Sequence, residues 1–76
     1  MPSREYFRLR KATQIDREYA TFELLFDNVP ILDVGFSDDG LFEVAFNEQI
    51  AGLILDWSKL SEWIGKGKKM AESDRS

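Results

Sequence analysis

The chain has 76 residues, a formal net charge of −4, and neither Cys nor His. That length allows one small domain, and the missing residue types exclude disulfides and every Ser-His-Asp or Cys-His nucleophile pair, and leave little basis for a structural zinc site. A hydrophobic content of 43% is enough for one compact core, while no run reaches the roughly 20 apolar residues of a membrane span.

Two periodicities divide the sequence. Up to about Leu55 the side chains alternate as in strands, and after Asp56 the spacing becomes helical. The first predicted strand is Glu5 to Thr13, where Phe7 and Leu9 alternate with Arg8 and Arg10. Asp16 and Arg17 suit a turn. In the second strand, Glu18 to Phe26, Ala20, Phe22, Leu24 and Phe26 point one way, and Thr21 and Glu23 the other. Asp27-Asn28-Val29-Pro30 then reads as an interruption of the ladder, because Pro30 has no N–H to donate.

The third strand, Ile31 to Phe36, turns Leu32, Val34 and Phe36 inward and Asp33 outward. Ser37-Asp38-Asp39-Gly40 has the composition of a tight hairpin turn. The fourth strand, Leu41 to Phe46, turns Phe42, Val44 and Phe46 inward and Glu43 outward. Asn47-Glu48-Gln49 reads as a turn. The apolar run Ile50 to Leu55 reads as a buried segment or a short fifth strand.

Asp56 or Ser58 can cap a helix starting near Trp57. Trp57, Leu60, Ile64 and Ala71 share one face, with Trp63 at its margin, and Trp57 is expected to be the core tryptophan because it follows the buried run Ile50 to Leu55. Gly65 and Gly67 each cost a helix interior about 1 kcal/mol, which predicts an end near Gly67 and a loose tail from Met70. The expected fold is α+β: an antiparallel β-meander of four to five strands, with one C-terminal α-helix packed on one face. The whole chain, residues 1–76, forms a single domain with frayed ends at about 1–4 and 72–76.

Charge is unevenly spread. No Lys or Arg occurs between Arg17 and Lys59, an interval that holds Glu18, Glu23, Asp27, Asp33, Asp38, Asp39, Glu43, Glu48 and Asp56. Either the basic ends fold back onto these acids, or one surface carries a negative potential. Asp38, Asp39, Glu43 and Glu48 could in principle gather an oxygen-binding metal, but they lack the ligand spacing of a calcium loop, and Asp38-Asp39-Gly40 is better explained as a turn. Gly65-Lys66-Gly67-Lys68-Lys69 lacks the strand before it and the Ser or Thr after its Lys that a phosphate loop needs. No catalytic, cofactor or metal residues are therefore assigned. Arg4, Tyr6, Arg8, Arg10 and Lys11 form the best nucleic-acid candidate, although an edge strand protected from aggregation, or one paired to Glu18 and Glu23, explains them more simply.

By alternation, Leu25 and Ile31 face away from the helix, together with Tyr6 and Tyr19, as an apolar and aromatic contact patch. The candidate partner-binding residues are Tyr19, Leu25, Ile31, Asp33, Asp38, Asp39 and Glu43. In outline, an acidic β-meander closed by a helix in under 80 residues resembles small bacterial immunity proteins that neutralise toxins; the resemblance carries no site residues over. It implies an acidic inhibitor of a basic partner. The expected function is thus a non-enzymatic, cytoplasmic protein-binding module. The alternatives are a homodimer through the face opposite the helix, a nucleic-acid-binding accessory protein and, last, an enzyme built on carboxylates alone. Neither a membrane nor a cofactor is expected.

Overall fold

The computed structural model describes residues 6–13, 15, 16 and 18–75. Glu5 and Arg17, which the sequence reading placed in the first strand and its following turn, and Arg4 of the basic block lie outside the described residues. Strands β1 (Phe7–Ala12), β2 (Thr21–Phe26), β3 (Val29–Phe36) and β4 (Phe42–Phe46) precede a short 3-10 turn (Glu48–Ile50) and helix α1 (Trp57–Arg75). The strands form one antiparallel sheet in the order β1-β2-β3-β4. The fold is the expected α+β meander with a C-terminal helix on one face.

Alternation decides which face is sealed. Phe22, Leu24, Leu32, Val34 and Phe36 are buried in one cluster with Phe7 and Ala71, and Phe42, Val44, Leu60, Trp63 and Ile64 pack against it half-buried. The Phe7 ring lies 5.1 Å from Phe26 and 6.0 Å from Trp63, so aromatic contacts join β1, β2 and the helix. The main footprint of the helix falls on β3 and β2, with less on β1; β4 is met mainly at its start, where Lys68 Nζ lies 5.6 Å from the Phe42 ring.

Both turns follow their residue chemistry. Asp27 and Asn28 have φ of 51° and 67°, the left-handed pair of a two-residue hairpin. Gly40 has φ of 87°, and the Ser37 N–H donates to the Leu41 carbonyl at 2.8 Å. The β2–β3 ladder is not interrupted after Asp27, contrary to the sequence reading: Pro30 lies inside β3, opposite Leu25. A bulge absorbs it. Leu24 pairs with Leu32 and Leu25 with Pro30, leaving Ile31 as the extra residue. The bulge also turns Ile31 to the helix side, where it joins the core cluster at 3% exposure. Ile31 was expected on the opposite face; alternation fails there because one added residue reverses the count.

The helix begins as expected. Asp56 accepts from the Lys59 N–H at 2.9 Å, a cap contributing about 1 kcal/mol. Its end differs from expectation, since α1 runs through both glycines to Arg75. Gly67 is buried against β3, and a Cβ there would lie 2.7 Å from Val34 Cγ2 and 3.5 Å from Leu9 Cδ2. Glycine is what allows the helix to approach the sheet this closely. Leu60, Ile64, Gly67, Ala71 and Asp74 form the facing stripe at spacings of three and four. Trp57 shares the phase of that stripe but is 73% exposed; Trp63 is the core tryptophan instead. Ile50 to Leu55 forms no strand.

The far end of the helix is tied by a polar clamp. Asp74 accepts from Lys11 Nζ at 2.8 Å and from the Ala20 N–H at 3.3 Å. The Lys11 hydrogen bond is the main reason that the Asp74 carboxyl titrates below its ordinary 3.8, with the Ala20 N–H adding to it. Arg75 places its guanidinium 4.4 Å from the Phe36 ring and 5.4 Å from Tyr19.

Two measurements check this account. Gly65→Ala, where added atoms meet open space, should raise stability by about 1 kcal/mol in urea unfolding. Gly67→Ala should lower it by about 1 kcal/mol despite the same propensity gain, because crowding Val34 costs roughly 1–3 kcal/mol. As for pH, a carboxyl whose folded pKa is depressed stabilises the fold above its unfolded value, and that contribution disappears as pH falls through the folded value. The parent should therefore lose stability more steeply below pH 3.8 than Asp74→Asn does. Equal acid limbs would rule out the clamp.

Candidate functional site

The residues named from sequence do not converge on one patch. Leu25 is 1% exposed, and Ile31, 3% exposed, lies on the helix side, so the apolar patch expected opposite the helix is absent from the described surface. Tyr19 packs half-buried against the core cluster under Arg75, on the helix side rather than with Leu25. Its hydroxyl titrates above the ordinary 10.0, chiefly through its hydrogen bond to Glu18. Asp33 lies half-buried on the outer face, opposite Glu23 on one side and Ala45 on the other. Glu43 is exposed on β4, and Asp38 and Asp39 are exposed in the β3–β4 turn.

The basic end does fold back, in part. Arg10 pairs with Glu23 directly across the β1–β2 ladder at 2.6 Å. Among the described residues, Asp38, Asp39, Glu43 and Glu48 form no ion pair. No cluster of His, Cys, Asp and Glu that could hold a metal occurs among the described residues, and no described helix is long and apolar enough to cross a membrane.

The structure reveals a surface that sequence reading missed. At the end of the sheet carrying the β2–β3 turn, two hollows adjoin. One, of about 420 Å³, is lined by Phe26, Asp27, Val29, Ile31, Ile50 and Leu53, with Ala51 and Gly52 at its side. The other, of about 280 Å³, is lined by Ile31, Leu32, Phe46, Ile50, Leu53, Leu55 and Leu60. Ile31, Ile50 and Leu53 form their common wall.

Each element of this surface has a local cause. The bulge brings Ile31 to it. The 3-10 turn carries Ile50, and Gly52, with φ of 85°, reverses the chain so that the Leu53 N–H donates to the Ile50 carbonyl at 2.9 Å. Around the hollows Val29 and Leu53 are exposed and Phe46 is 63% exposed; Ile54 and Trp57, next along the chain, are more exposed still. Scattered exposed apolar residues are ordinary, but a contiguous set meeting at two hollows is characteristic of contact surfaces. The signal in the sequence was the run Ile50 to Leu55 itself, apolar without alternation.

A third hollow, of about 490 Å³, lies along the β1 edge between Arg8, Leu9, Trp63, Lys66, Lys69 and Met70. Arg8 Nε donates to Asn28 Oδ1 at 3.3 Å, and Lys66 pairs with Glu62 at 3.3 Å while lying 4.1 Å from the Trp63 ring.

The two tryptophans separate stability from surface. Trp57→Ala should change unfolding free energy by less than about 0.5 kcal/mol, whereas Trp63→Ala should cost about 3 kcal/mol by denaturant titration. Comparison with protein-family models, with curated proteins and with solved structures gives no match for this chain.

Proposed function

We propose that the protein is a non-enzymatic binding module that receives a basic protein partner, as an acidic inhibitor does. The observation that carries this reading is the apolar end of the fold, where Val29, Phe46 and Leu53 lie exposed around two adjoining hollows. A partner's apolar side chain entering between Ile31, Ile50 and Leu53 would bury surface that the monomer leaves wet, with Trp57 beside it as an aromatic anchor. Asp27 in the lining, together with Glu48, Glu43, Asp38 and Asp39 elsewhere, supplies the attraction for a basic surface. Such charges raise the association rate more than the final affinity.

A second reading has its own observation. The β1 hollow brings Arg8, Lys66 and Lys69 beside Trp63, a combination of cations and an aromatic ring that suits a nucleic acid. It ranks lower because Arg10, Lys11 and Lys66 already hold Glu23, Asp74 and Glu62.

The first reading is tested by capture on immobilised protein, comparing the parent with a Leu53→Asp/Trp57→Ala variant that melts as the parent does. The parent's captured protein should be lost by the variant. Its association rate should fall about tenfold as salt rises from about 50 to about 500 mM. Undiminished capture by the variant would sink the docking surface. Fluorescence anisotropy with single-stranded oligonucleotides at low salt decides the second reading, for which Arg8→Ala/Lys69→Ala should abolish any binding seen.

A further inference from the structure

We propose that two copies of this chain associate edge to edge through β4, antiparallel about Val44, forming one continuous sheet. The proposal stands apart from the docking surface above.

Among the described residues nothing pairs with the far edge of β4. The direction of its backbone groups follows from the ladder. The Asn47 N–H donates to the Ile31 carbonyl, and the Leu41 carbonyl accepts from the Ser37 N–H. Alternation then turns the polar groups of Glu43 and Ala45 toward β3 and those of Phe42, Val44 and Phe46 outward.

The strand reads Phe42-Glu43-Val44-Ala45-Phe46, which is nearly the same in both directions. A two-fold axis through Val44 sets Val44 opposite its own copy, and Phe42 opposite Phe46. These are the very residues whose N–H and C=O face outward, so each donates to and accepts from its opposite number. The register is thus allowed by hydrogen-bond phase as well as by side chains.

Charge agrees. In this register Glu43 faces Ala45 of the second copy, so no carboxylate meets another directly, and both lie on the open face of the sheet. The two edges of the sheet differ in the same sense. β1 carries Arg8, Arg10 and Lys11, the usual protection against edge pairing, while β4 has no Lys, Arg or Pro and no bulge. On the other face the helix covers β4 only lightly and Phe46 stays 63% exposed. Pairing would join the two Phe42-Val44-Phe46 stripes side by side.

Sedimentation velocity on the full chain, from about 1 to about 500 µM, tests this, since a short edge contact of this kind gives a weak, concentration-dependent dimer. The parent should shift from monomer to dimer across that range. Val44→Pro removes an outward N–H that the β3 ladder does not use, and should remain monomeric while keeping the parent's circular dichroism. Ala45→Glu should weaken the dimer about tenfold and Ala45→Lys strengthen it about tenfold, because each change enters twice across the axis. A parent that stays monomeric throughout would overturn the proposal. So would a dimer indifferent to Val44→Pro and to both Ala45 variants. Neither result bears on the Leu53 and Trp57 surface.

Discussion

The contact between Gly67 and Val34 sets the geometry of the whole molecule. A β-carbon at position 67 would stand 2.7 Å from Val34 Cγ2, so the helix sits as low on the sheet as a backbone can. With one layer of helix on one sheet, that height decides how much of the apolar face is sealed. From this point the helix reaches Phe7 through Trp63 on one side and Ala20 through Asp74 at its end. Glycine weakens the isolated helix, and the contact it permits is tertiary; the chain trades local preference for packing.

That placement also defines what is left open. A helix centred over β2 and β3 covers β4 only in part, and its apolar side chains are half-sealed. Nor does it extend past the β2–β3 turn, where the segment from Glu48 to Asp56 must close the end of the core with a 3-10 turn and a few aliphatic residues. The hollows lined by Ile31, Ile50 and Leu53 mark where that closure is incomplete. Both proposed contact surfaces are thus consequences of one docking position rather than separate additions to the fold.

The parts of the fold that were legible in the sequence are those governed by local rules. Alternation in Phe22-Glu23-Leu24 and Phe42-Glu43-Val44 reports a sheet with one sealed face, and Asp56 marks the start of the helix because a cap is a short-range hydrogen bond. What failed depended on partners far away in sequence. The helix passes Gly67 because Val34 requires it. Pro30 is accommodated by a bulge whose position no local pattern marks, and that bulge moves Ile31 to the other face. Trp57 and Trp63 were exchanged because the apolar run before Trp57 reads as buried, whereas most of it is exposed and Trp63 is the one that packs on the core. The apolar end surface was hidden for the same reason: Ile50 to Leu55 reads as core in one dimension, and only the chain reversal at Gly52 shows that much of it is wet.

The hydrogen bond from Ala20 to Asp74 spans 54 positions, whereas the β2–β3 and β3–β4 turns take two and five residues. Sequential strands with tight turns are cheap to bring together, and long closures come late. During folding, β1 through β4 can zip up before α1 docks. During that interval the sheet carries its phenylalanines uncovered, and its own helix competes with neighbouring unfolded chains for the same apolar face. Any change that slows the docking of the nineteen-residue α1 therefore lengthens the time for which that face stays open to aggregation.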